Sequence, residues 1–340
     1  METPDHVMKT LLVGGAGYVG SACLRWLLKH GHDAIAYDSL LAGNAAAVPA
    51  DRLVLGDLAD RDLLNQTMAE HRVEAVMHFA ALASVPESIQ QPETYYRTNV
   101  LGTKNVLDAM VQNQVDRIVF SSTAATYGFE NEMPLTEQSR QDPQVPYGRT
   151  KLAAEHMILD YARAHGLGCG LLRYFNASGA DPDGEFGEDR QHETHLIPLV
   201  LQTAVGGREK FLVFGGDWET RDGTCVRDYV HTEDLAQAHQ LAIEAAEPGF
   251  ARAYNLGTGN GTTVFEVIQA CEEVVGRKLA YEVVDSRPGD PAVLVASSEK
   301  IKKELAWKPQ FAEIRQIAET AWKWHQNYPR GYADKLSSTT

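Results

Sequence analysis

Short apolar runs alternate with segments of helical periodicity through the first half of the chain. Helical patterns at 21–30 and 92–113 lie between runs of this kind. Six runs predict buried strands, at 9–14, 34–37, 53–57, 75–80, 117–122 and 169–176. Strands that alternate with helices favour a parallel sheet covered on both faces. The sequence therefore predicts an α/β fold with a Rossmann-type doubly wound parallel sheet.

The pattern changes after about residue 179, where loops lengthen and strands become short isolated runs such as 211–214. A further buried strand at 253–257 and a helix at 264–275 indicate that the chain returns to the main sheet. We expect a first domain over residues 1–178 with a returning segment near 230–262. A smaller, discontinuous α+β lobe over residues 179–330 and a tail over residues 331–340 complete the predicted organisation.

A glycine-rich turn joins the first strand to the first helix. Its glycines are Gly14, Gly17 and Gly20, a spacing that frees the backbone and lets a pyrophosphate approach the helix N-terminus. The second strand ends in Asp38, 18 residues past Gly20, where dinucleotide-binding units place a ribose carboxylate. Because this carboxylate would accept from a 2′-hydroxyl and repel a 2′-phosphate, the sequence favours NAD over NADP.

The carboxyl ends of several predicted strands carry residues suited to the same ligand. Ligands of doubly wound sheets bind beyond these ends. The predicted edge gathers Gly17, Asp38, Asp57, Ala81 and Thr123.

Tyr147 and Lys151 are four residues apart, so a helix would stack them on one face. A phenol has a pKa of about 10, and one cation near 4 Å supplies roughly the 4 kcal/mol needed to bring it near 7. The pair is a candidate general base, with the hydroxyl of Thr123 in reach of the same carbon. The same spacing also occurs on exposed helices without any chemistry.

Composition excludes several classes of protein. The 340 residues are 44% hydrophobic and carry a net charge of −15, which opposes binding to nucleic acid or to an anionic membrane. No run approaches 18 apolar residues, the first eight residues lack a basic start, and four cysteines are scattered without a Cys-x-x-Cys motif. We expect a cytoplasmic protein with reduced thiols.

Two metal motifs are incomplete. His192 and His195 are three residues apart rather than four, and the 181–184 turn lacks the further acids of a calcium loop. We therefore predict no metal site. Arg227 and Arg287 suit a diphosphate, although surface salt bridges would explain both equally well.

The motifs together resemble the UDP-glucose 4-epimerases of the extended short-chain dehydrogenase/reductase family, over about residues 9–330. The resemblance implies a firmly held NAD, a UDP-hexose substrate, a homodimer and a role in galactose metabolism. It rests on the glycine turn with Tyr18-Val19, Phe79-Ala80-Ala81, Ser121-Ser122-Thr123, Tyr147-x-x-x-Lys151, Arg173-Tyr174-Phe175-Asn176, Val226-Arg227-Asp228-Tyr229-Val230-His231 and Arg287-Pro288-Gly289-Asp290.

The resemblance also implies a mechanism, in which Tyr147 takes the proton of the sugar 4-hydroxyl while C4 gives up a hydride. The 4-keto sugar then rotates and takes the hydride back on its other face, which interconverts UDP-glucose and UDP-galactose. The alternative is a 4-epimerase of UDP-N-acetylhexosamines or UDP-pentoses. A 4,6-dehydratase is disfavoured because Ala124 and Ala125 provide no acid, and a redox-sensing binding protein would not need Tyr147 and Lys151.

Site residues follow from the resemblance position by position. The implied catalytic residues are Tyr147, Lys151 and Thr123. The implied cofactor-binding residues are Gly14, Gly17, Tyr18, Val19, Gly20, Asp38, Ser39, Asp57, Leu58, Phe79, Ala80, Ala81, Leu82, Asn99, Ser121, Thr123, Tyr147, Lys151 and Phe175. The implied substrate-binding residues are Thr123, Tyr147, Asn176, His195, Leu196, Phe211, Leu212, Val213, Phe214, Arg227, Arg287, Asp290 and Leu294.

Three positions depart from the family pattern. Thr123 stands where many members have serine, Ala83 where some have lysine, and His195 where some have asparagine.

Overall fold

The computed structural model describes residues 7–128, 130–190, 192–286 and 291–338. The strands are β1 (Lys9–Val13), β2 (Asp33–Asp38), β3 (Leu53–Leu55), β4 (Ala75–His78), β5 (Arg117–Thr123), β6 (Gly168–Tyr174), β7 (Asn176–Ser178), β8 (Phe211–Phe214), β9 (Val226–Arg227), β10 (Tyr229–His231), β11 (Ala251–Leu256), β12 (Thr262–Thr263), β13 (Tyr281–Val284) and β14 (Val293–Leu294).

The α-helices are α1 (Tyr18–Lys29), α2 (Arg61–Glu70), α3 (Val85–Gln90), α4 (Pro92–Tyr95), α5 (Gly102–Gln112), α6 (Pro146–His165), α7 (Leu196–Ala204), α8 (Thr232–Ala245), α9 (Val264–Val275), α10 (Glu299–Leu305), α11 (Ile314–Asn327) and α12 (Tyr332–Ser338). Within the described ranges, none of these helices has both the length and the apolar composition needed to cross a bilayer.

Seven strands form the central sheet in the order β11–β6–β5–β4–β1–β2–β3, and every neighbouring pair is parallel. The predicted doubly wound parallel sheet is confirmed, and β11 is the returning strand expected near 253–257. Parallel strands bury both faces, which explains why Leu11, Leu12 and Val13 in succession are at most 1% exposed.

Helices cover both faces of the sheet. One apolar cluster joins the sheet to α1 and α8 through residues such as Leu24, Leu27 and Leu235. The other joins it to α2, α5 and α6 through residues such as Leu64, Leu107 and Ile158. Because all seven strands are parallel, their carboxyl ends lie at the same edge of the sheet.

The helix predicted at 92–113 contains a π-helical segment, Tyr96–Leu101, between α4 and α5. Such bulges change the direction of side chains within a helix. Here the segment directs the buried Asn99 toward the loop after β4 and the start of α6.

The predicted strand at 169–176 is divided in the structure. β6 ends at Tyr174, and the backbone N–H of Asn176 donates to the Asp228 carbonyl at 3.0 Å instead of continuing the sheet. β7 then pairs with β10 in a separate two-stranded sheet. After Tyr174 the chain therefore leaves the central sheet at its carboxyl edge, where the predicted ligand-binding residues meet, and enters the smaller sheet.

A third apolar cluster packs α7, α9 and α11 against two small sheets, through residues such as Leu201, Ile268 and Ile317. The segment predicted as a tail contains α12, and Tyr332 in it is only 3% exposed against Trp324.

Candidate active site

The turn between β1 and α1 is shaped by its glycines in different ways. Gly14 has φ +83°, and a Cβ on Gly20 would lie 2.2 Å from the Gly14 carbonyl oxygen, so the fold itself requires glycine there. A Cβ on Gly17 would meet only that oxygen, at 3.4 Å. The backbone tolerates a side chain at Gly17, and a glycine there leaves space for a ligand beside the N-terminus of α1.

Gly17 caps α1 without a side-chain hydrogen bond, and the first turn of the helix carries no acid. Its N–H groups and positive dipole end are therefore suited to an anion. Val19 and Tyr18 are half-buried in this turn, and the Tyr18 hydroxyl donates to the Gly179 carbonyl at 2.6 Å. Tyr18 thus ties the turn to the segment that follows β7.

Asp38 at the end of β2 is 8% exposed. Its carboxylate accepts from the backbone N–H groups of Ala16, at 2.9 Å, and Leu40, at 2.8 Å. The carboxylate is thereby held next to the glycine turn, with further lone pairs available to a hydroxyl group. Ser39 next to it is exposed.

The loop after β4 is held by Asn99. The side-chain oxygen of Asn99 accepts from the Leu82 N–H at 2.9 Å, and its amide donates to the Leu82 carbonyl and the Thr150 hydroxyl, both at 3.0 Å. Both amide hydrogens are engaged within the chain, so Asn99 links the 79–82 loop to α6. Its predicted contact with the cofactor stays a prediction.

Other predicted cofactor residues lie around the same edge. Asp57 is exposed and accepts from the Ala59 N–H at 2.7 Å, while Leu58 lies against Gly102 in α5. Phe79 packs against His239 with ring centroids 4.8 Å apart, and Phe175 is half-buried between β6 and β7. Ala80 and Ala81 are half-buried next to Gly14 and Leu82.

Tyr147 lies in the first turn of α6, where Pro146 takes the first helical position. Burial raises the pKa of its phenol above the usual value, while a hydrogen bond with the Thr123 side chain and the charge of Arg190 lower it. Thr123 closes β5 and is 9% exposed. The structure therefore places the predicted tyrosine and threonine in direct contact.

Lys151 lies one turn further along α6 and is 3% exposed. Its ammonium donates to the Ser121 carbonyl at 2.8 Å and lies 4.5 Å from the Phe120 ring centroid. Burial lowers the pKa of Lys151 to about 7, and Glu155 opposes that shift. The lysine is poised to change charge near neutral pH.

These pKa directions differ from the sequence expectation, in which Lys151 lowers the pKa of Tyr147. In the folded chain the lowering groups are Thr123 and Arg190, and burial outweighs both. The physical reason is that the ammonium of Lys151 is directed to the Ser121 carbonyl. Sequence spacing could not anticipate Arg190, since that residue belongs to a loop far along the chain.

Ser121 connects these groups to α8. Its hydroxyl lies 2.8 Å from His239 Nε2, and His239 Nδ1 lies 2.7 Å from the Leu235 carbonyl. The ring donates to that carbonyl, so Nε2 accepts from the serine. Burial lowers the pKa of His239 to about 4, which keeps the ring neutral.

A cavity of about 220 Å³ opens beyond β7. Seven predicted substrate residues line it: Asn176, His195, Leu196, Leu212, Val213, Phe214 and Arg227. The Asn176 amide donates to the Asp228 carbonyl at 2.8 Å, which fixes its orientation. Sequence reasoning missed several other lining residues, among them Glu188, Tyr229, Trp324 and His325.

Four other predicted substrate residues are described in the structure but are not among the lining residues of the cavity. Phe211 is 2% exposed in the third apolar cluster, and Leu294 pairs with Arg227 across β14 and β9. Thr123 and Tyr147 lie at the sheet edge rather than in the cavity lining. Arg287 and Asp290 lie outside the described residues.

His195 enters the cavity from a charged cluster. Its Nδ1 lies 2.9 Å from a carboxylate oxygen of Glu193 and 3.1 Å from one of Glu188, which also accepts from Arg190 Nε at 2.7 Å. Although burial opposes protonation, Glu188 raises the pKa of His195 to about 9. Two carboxylates are therefore balanced by an imidazolium and a guanidinium, and the cluster needs no cation to neutralise it.

Comparisons with known proteins agree with this geometry. Residues 10–257 match the model of the NAD dependent epimerase/dehydratase family. The chain is 50% identical over 316 residues to a UDP-glucose 4-epimerase of Corynebacterium glutamicum, covering 93% of this chain and 95% of the relative.

Two solved structures are also similar. The UDP-glucose 4-epimerase from Brucella ovis in complex with NAD has a TM-score of 0.89 and 44% identity, over 93% of this chain and 98% of that one. The enzyme from Bifidobacterium longum in complex with NAD+ and UDP has a TM-score of 0.90 and 35% identity, over 95% and 100% of the two chains.

Proposed function

The chain belongs to the NAD dependent epimerase/dehydratase family, and we propose that it interconverts UDP-glucose and UDP-galactose by transient oxidation at C4. The observation that carries this proposal is the meeting of two sites at one sheet edge. Thr123, which bonds Tyr147, pairs with Tyr174 in the sheet, and Asn176, which lines the cavity, follows Tyr174 by two residues. A proton acceptor thus lies between the glycine turn and the cavity.

The residues present fit a dinucleotide. Gly17 leaves space at the uncapped N-terminus of α1 for a pyrophosphate, and Asp38 offers acceptors to a ribose hydroxyl. NAD, when bound, supplies the acceptor and donor of the hydride. The carboxylate at Asp38 favours NAD over NADP, because a 2′-phosphate would be repelled.

The chain's own residues account for the proton. Tyr147 accepts the proton of the sugar 4-hydroxyl, and the Thr123 hydroxyl holds the phenol in place through their hydrogen bond. The Thr123 hydrogen bond and the positive charge of Arg190 favour the phenolate over the phenol, while the ammonium of Lys151 is directed to the Ser121 carbonyl. Because the phenol is partly shielded from water, the charge of Arg190 acts more strongly than it would at the surface.

The cavity supplies groups suited to a UDP-sugar. Arg227 offers positive charge to a diphosphate, protonated His195 offers its second ring N–H as a hydrogen-bond donor, and Asn176 lines the same cavity. Leu196, Leu212 and Phe214 provide apolar walls for a base or sugar ring. The relative from B. longum was solved with UDP, which supports the same ligand class here.

The proposal includes a homodimer, formed by two copies of this chain. Ile89, Tyr96 and Leu101 are 60%, 44% and 56% exposed on the helices that pack against α6. A second copy of this chain would cover this apolar face in a symmetric interface. Light scattering should give twice the chain mass, and Ile89→Lys should lower it; a wild-type monomer at micromolar concentration would refute the dimer.

A cytoplasmic location also belongs to the proposal. Cys23, Cys169 and Cys271 are buried, and burial raises the pKa of each thiol. Buried protonated thiols suit a reducing compartment.

The decisive experiment incubates the purified protein with UDP-glucose, UDP-galactose, UDP-N-acetylglucosamine and a UDP-pentose, and separates the products. We expect rapid equilibration of the first two. The alternative of a 4-epimerase for N-acetylhexosamines or pentoses is not favoured, because the similar relatives named above are UDP-glucose 4-epimerases. Turnover of the N-acetyl sugar or the pentose without turnover of UDP-glucose would overturn the proposal.

A further inference from the structure

Glu155 follows Lys151 by one turn on α6 and is 1% exposed. A carboxylate buried to this degree needs compensation. Its Oε1 accepts from Ser122 Oγ at 2.5 Å and from Arg173 Nε at 2.9 Å, and its Oε2 accepts from Arg173 Nη2 at 2.6 Å and Gln141 Nε2 at 3.3 Å. The residue is fully engaged with side chains of two strands and a loop.

These contacts join α6 to the strand ends that carry the proton-handling groups. Ser122 lies between Ser121, whose carbonyl accepts from Lys151, and Thr123, which bonds Tyr147. Arg173 lies one residue before Tyr174, the partner of Thr123 in the sheet. Glu155 therefore contacts Ser122, which precedes Thr123, and Arg173, which precedes Tyr174, and it is not among the lining residues of the cavity.

The network continues away from the site. Arg173 Nη1 lies 2.9 Å from the Tyr127 hydroxyl, which donates to Asn255 Oδ1 at 2.6 Å. Although burial opposes protonation, Glu155 raises the pKa of Arg173, so the guanidinium stays charged. Tyr127 stays neutral because burial raises its pKa to about 12.

The ionisable side chains around Lys151 lie on β4, β6, α6 and α8, and several of them are neutral. Burial lowers the pKa of His78 on β4 to about 3 and that of His239 on α8 to about 4, so both rings are neutral. Burial also raises the pKa of Tyr174 on β6 and of Tyr147 on α6, so both phenols are neutral at neutral pH. Among the described residues, the charged groups that remain around these side chains are Arg173 on β6, Arg190, whose charge acts on Tyr147 and Tyr174, and Glu155 on α6 itself.

We propose that Glu155 is a positioning residue for Tyr147 and Lys151: its hydrogen bonds lock α6 to the ends of β5 and β6, and its carboxylate places negative charge one helical turn from the buried ammonium of Lys151. Among the described residues near Lys151, Glu155 supplies the negative charge that opposes desolvation. A neutral Lys151 would donate more weakly to the Ser121 carbonyl, so the end of β5 that carries Thr123 would be held less firmly beside Tyr147.

The same arrangement explains why Arg173 accompanies Glu155. An unpaired buried carboxylate would be costly, and removal of one partner of a buried pair leaves the other uncompensated. Arg173 holds the carboxylate in one orientation through two parallel hydrogen bonds.

The test follows the titration of Lys151 in the full chain by the ¹³Cε NMR signal of labelled lysine, assigned by its disappearance in Lys151→Met. The midpoint in wild type should lie near neutral pH. In Glu155→Gln it should fall by at least one pH unit, since an opposite charge nearby shifts a pKa by about 1–3 units. The pH at which epimerase activity falls should move down by the same amount.

The double variant Glu155→Gln with Arg173→Met removes both charges and leaves no buried ion unpaired. Its Lys151 midpoint should lie between those of wild type and Glu155→Gln, and it serves as the test if the single variant fails to fold. Asp160→Asn is the matched control, because Asp160 is an exposed carboxylate on α6 paired with Arg163, and its midpoint should equal that of wild type.

An unchanged Lys151 midpoint in both Glu155 variants would overturn the inference. It relies on the proposed function only for the activity measurement, because the titration needs no substrate. If no UDP-sugar is turned over but the midpoint shifts as expected, the proposed function fails and the role of Glu155 stands.

Discussion

At the residue scale, the proton chemistry depends on the phenol of Tyr147 and the charges around it. Burial raises its pKa, while Thr123 and Arg190 lower it. The chain's own groups therefore leave the tyrosine protonated at neutral pH. Anything that adds positive charge near the phenol makes it a better base.

Tyr147→Phe should lose about 10²–10⁴-fold in turnover, which is the usual contribution of a general base. The phenylalanine ring fills the same space, so cofactor content should stay at the wild-type level. Progress curves with UDP-galactose and the absorbance of bound cofactor provide the two measurements. Wild-type turnover in this variant would exclude Tyr147 as the proton acceptor.

His195 gives a pH dependence of stability. Its pKa of about 9 in the folded chain exceeds the value of 6.5 expected on unfolding, so its ion pair stabilises the fold fully below about pH 6.5 and loses that effect as pH rises through 9. Because the His195 side chain is 42% exposed, solvent reduces the size of the effect.

His195→Gln should accordingly be less stable than wild type at pH 6, and the difference in the free energy of unfolding should shrink toward pH 9.5. Urea denaturation at several pH values measures it. A difference that grows with pH would contradict the ion pair with Glu188 and Glu193.

Leu294 bears on sugar specificity. By resemblance, the side chain at this position borders the 2-substituent of the hexose, and the structure places Leu294 opposite Arg227, which lines the cavity. Leucine leaves more room than tyrosine and offers the amide no polar atom. One or two methyl-sized differences in a pocket change selectivity about 10- to 200-fold.

Wild type should therefore show detectable turnover of UDP-N-acetylglucosamine beside its preferred hexoses. Leu294→Tyr should abolish that turnover and spare UDP-glucose, with Leu294→Met as the size-matched control. Equal N-acetyl activity in wild type and Leu294→Tyr would show that Leu294 does not border the 2-substituent.

At the element scale, the glycines in the turn from β1 to α1 have different roles. The fold requires glycine at position 20, whereas glycine at position 17 leaves space for a ligand. Gly20 has no space for a side chain, because a Cβ would clash with the backbone of Gly14. Gly17 has that space and an extended backbone with φ −74° and ψ 170°, which any residue adopts.

Gly20→Ala should destabilise the protein by about 1–3 kcal/mol, the usual cost of overpacking. Gly17→Ala should keep the thermal midpoint of the cofactor-free protein and weaken NAD binding, because its methyl group occupies the approach of the pyrophosphate. Thermal melts and calorimetric titration with NAD distinguish the two effects. Unchanged NAD affinity in Gly17→Ala would place the pyrophosphate elsewhere.

The start of α6 is a second element whose position matters. Asn99, in the π-helical segment, donates to Thr150 in the same turn of α6 as Tyr147 and Lys151 and holds Leu82 on the other side. The π segment thus couples the loop after β4 to the helix that carries the proton acceptor.

At the scale of the whole molecule, the C-terminal helix α12 supports the loop that carries His195. The Tyr332 backbone N–H donates to Asp189 at 2.9 Å, its hydroxyl lies 3.3 Å from the Gly187 carbonyl, and Lys335 pairs with Glu185 at 3.2 Å. The same loop contributes Glu188 and His195 to the cavity. The C-terminal helix α12 therefore stabilises a loop that lines the cavity.

Truncation after Arg330 should destabilise the protein by about 3–5 kcal/mol, comparable to the loss of a buried aromatic side chain. It should raise the KM for the UDP-sugar more than it weakens NAD binding, because the glycine turn keeps its own contacts. Truncation after Leu336 retains Tyr332 and Lys335 and is the matched control. A KM unchanged by the longer truncation would separate α12 from the cavity.

Much of the fold could be predicted because its signals are local. Several strands of the central sheet contain buried apolar runs, such as 11–13 in β1 and 75–77 in β4, and the helix at 264–275 was predicted at the bounds that α9 has in the structure. The strand predicted at 169–176 was too long because its apolar pattern continues past Tyr174. In the structure the Asn176 N–H donates to the carbonyl of Asp228, a residue far along the chain, instead of continuing the sheet.

The sequence by itself determined the fold class, the glycine turn with its acidic partner Asp38, and the pairing of Tyr147 with Lys151 on one helix. Each depends on periodicity or spacing between residues near in sequence. Only the tertiary structure decided the direction of the Tyr147 pKa, the contact of Glu155 with Ser122 and Arg173, and the cluster around His195. These depend on burial and on charges brought together from separate elements, and no local pattern encodes that electrostatic environment.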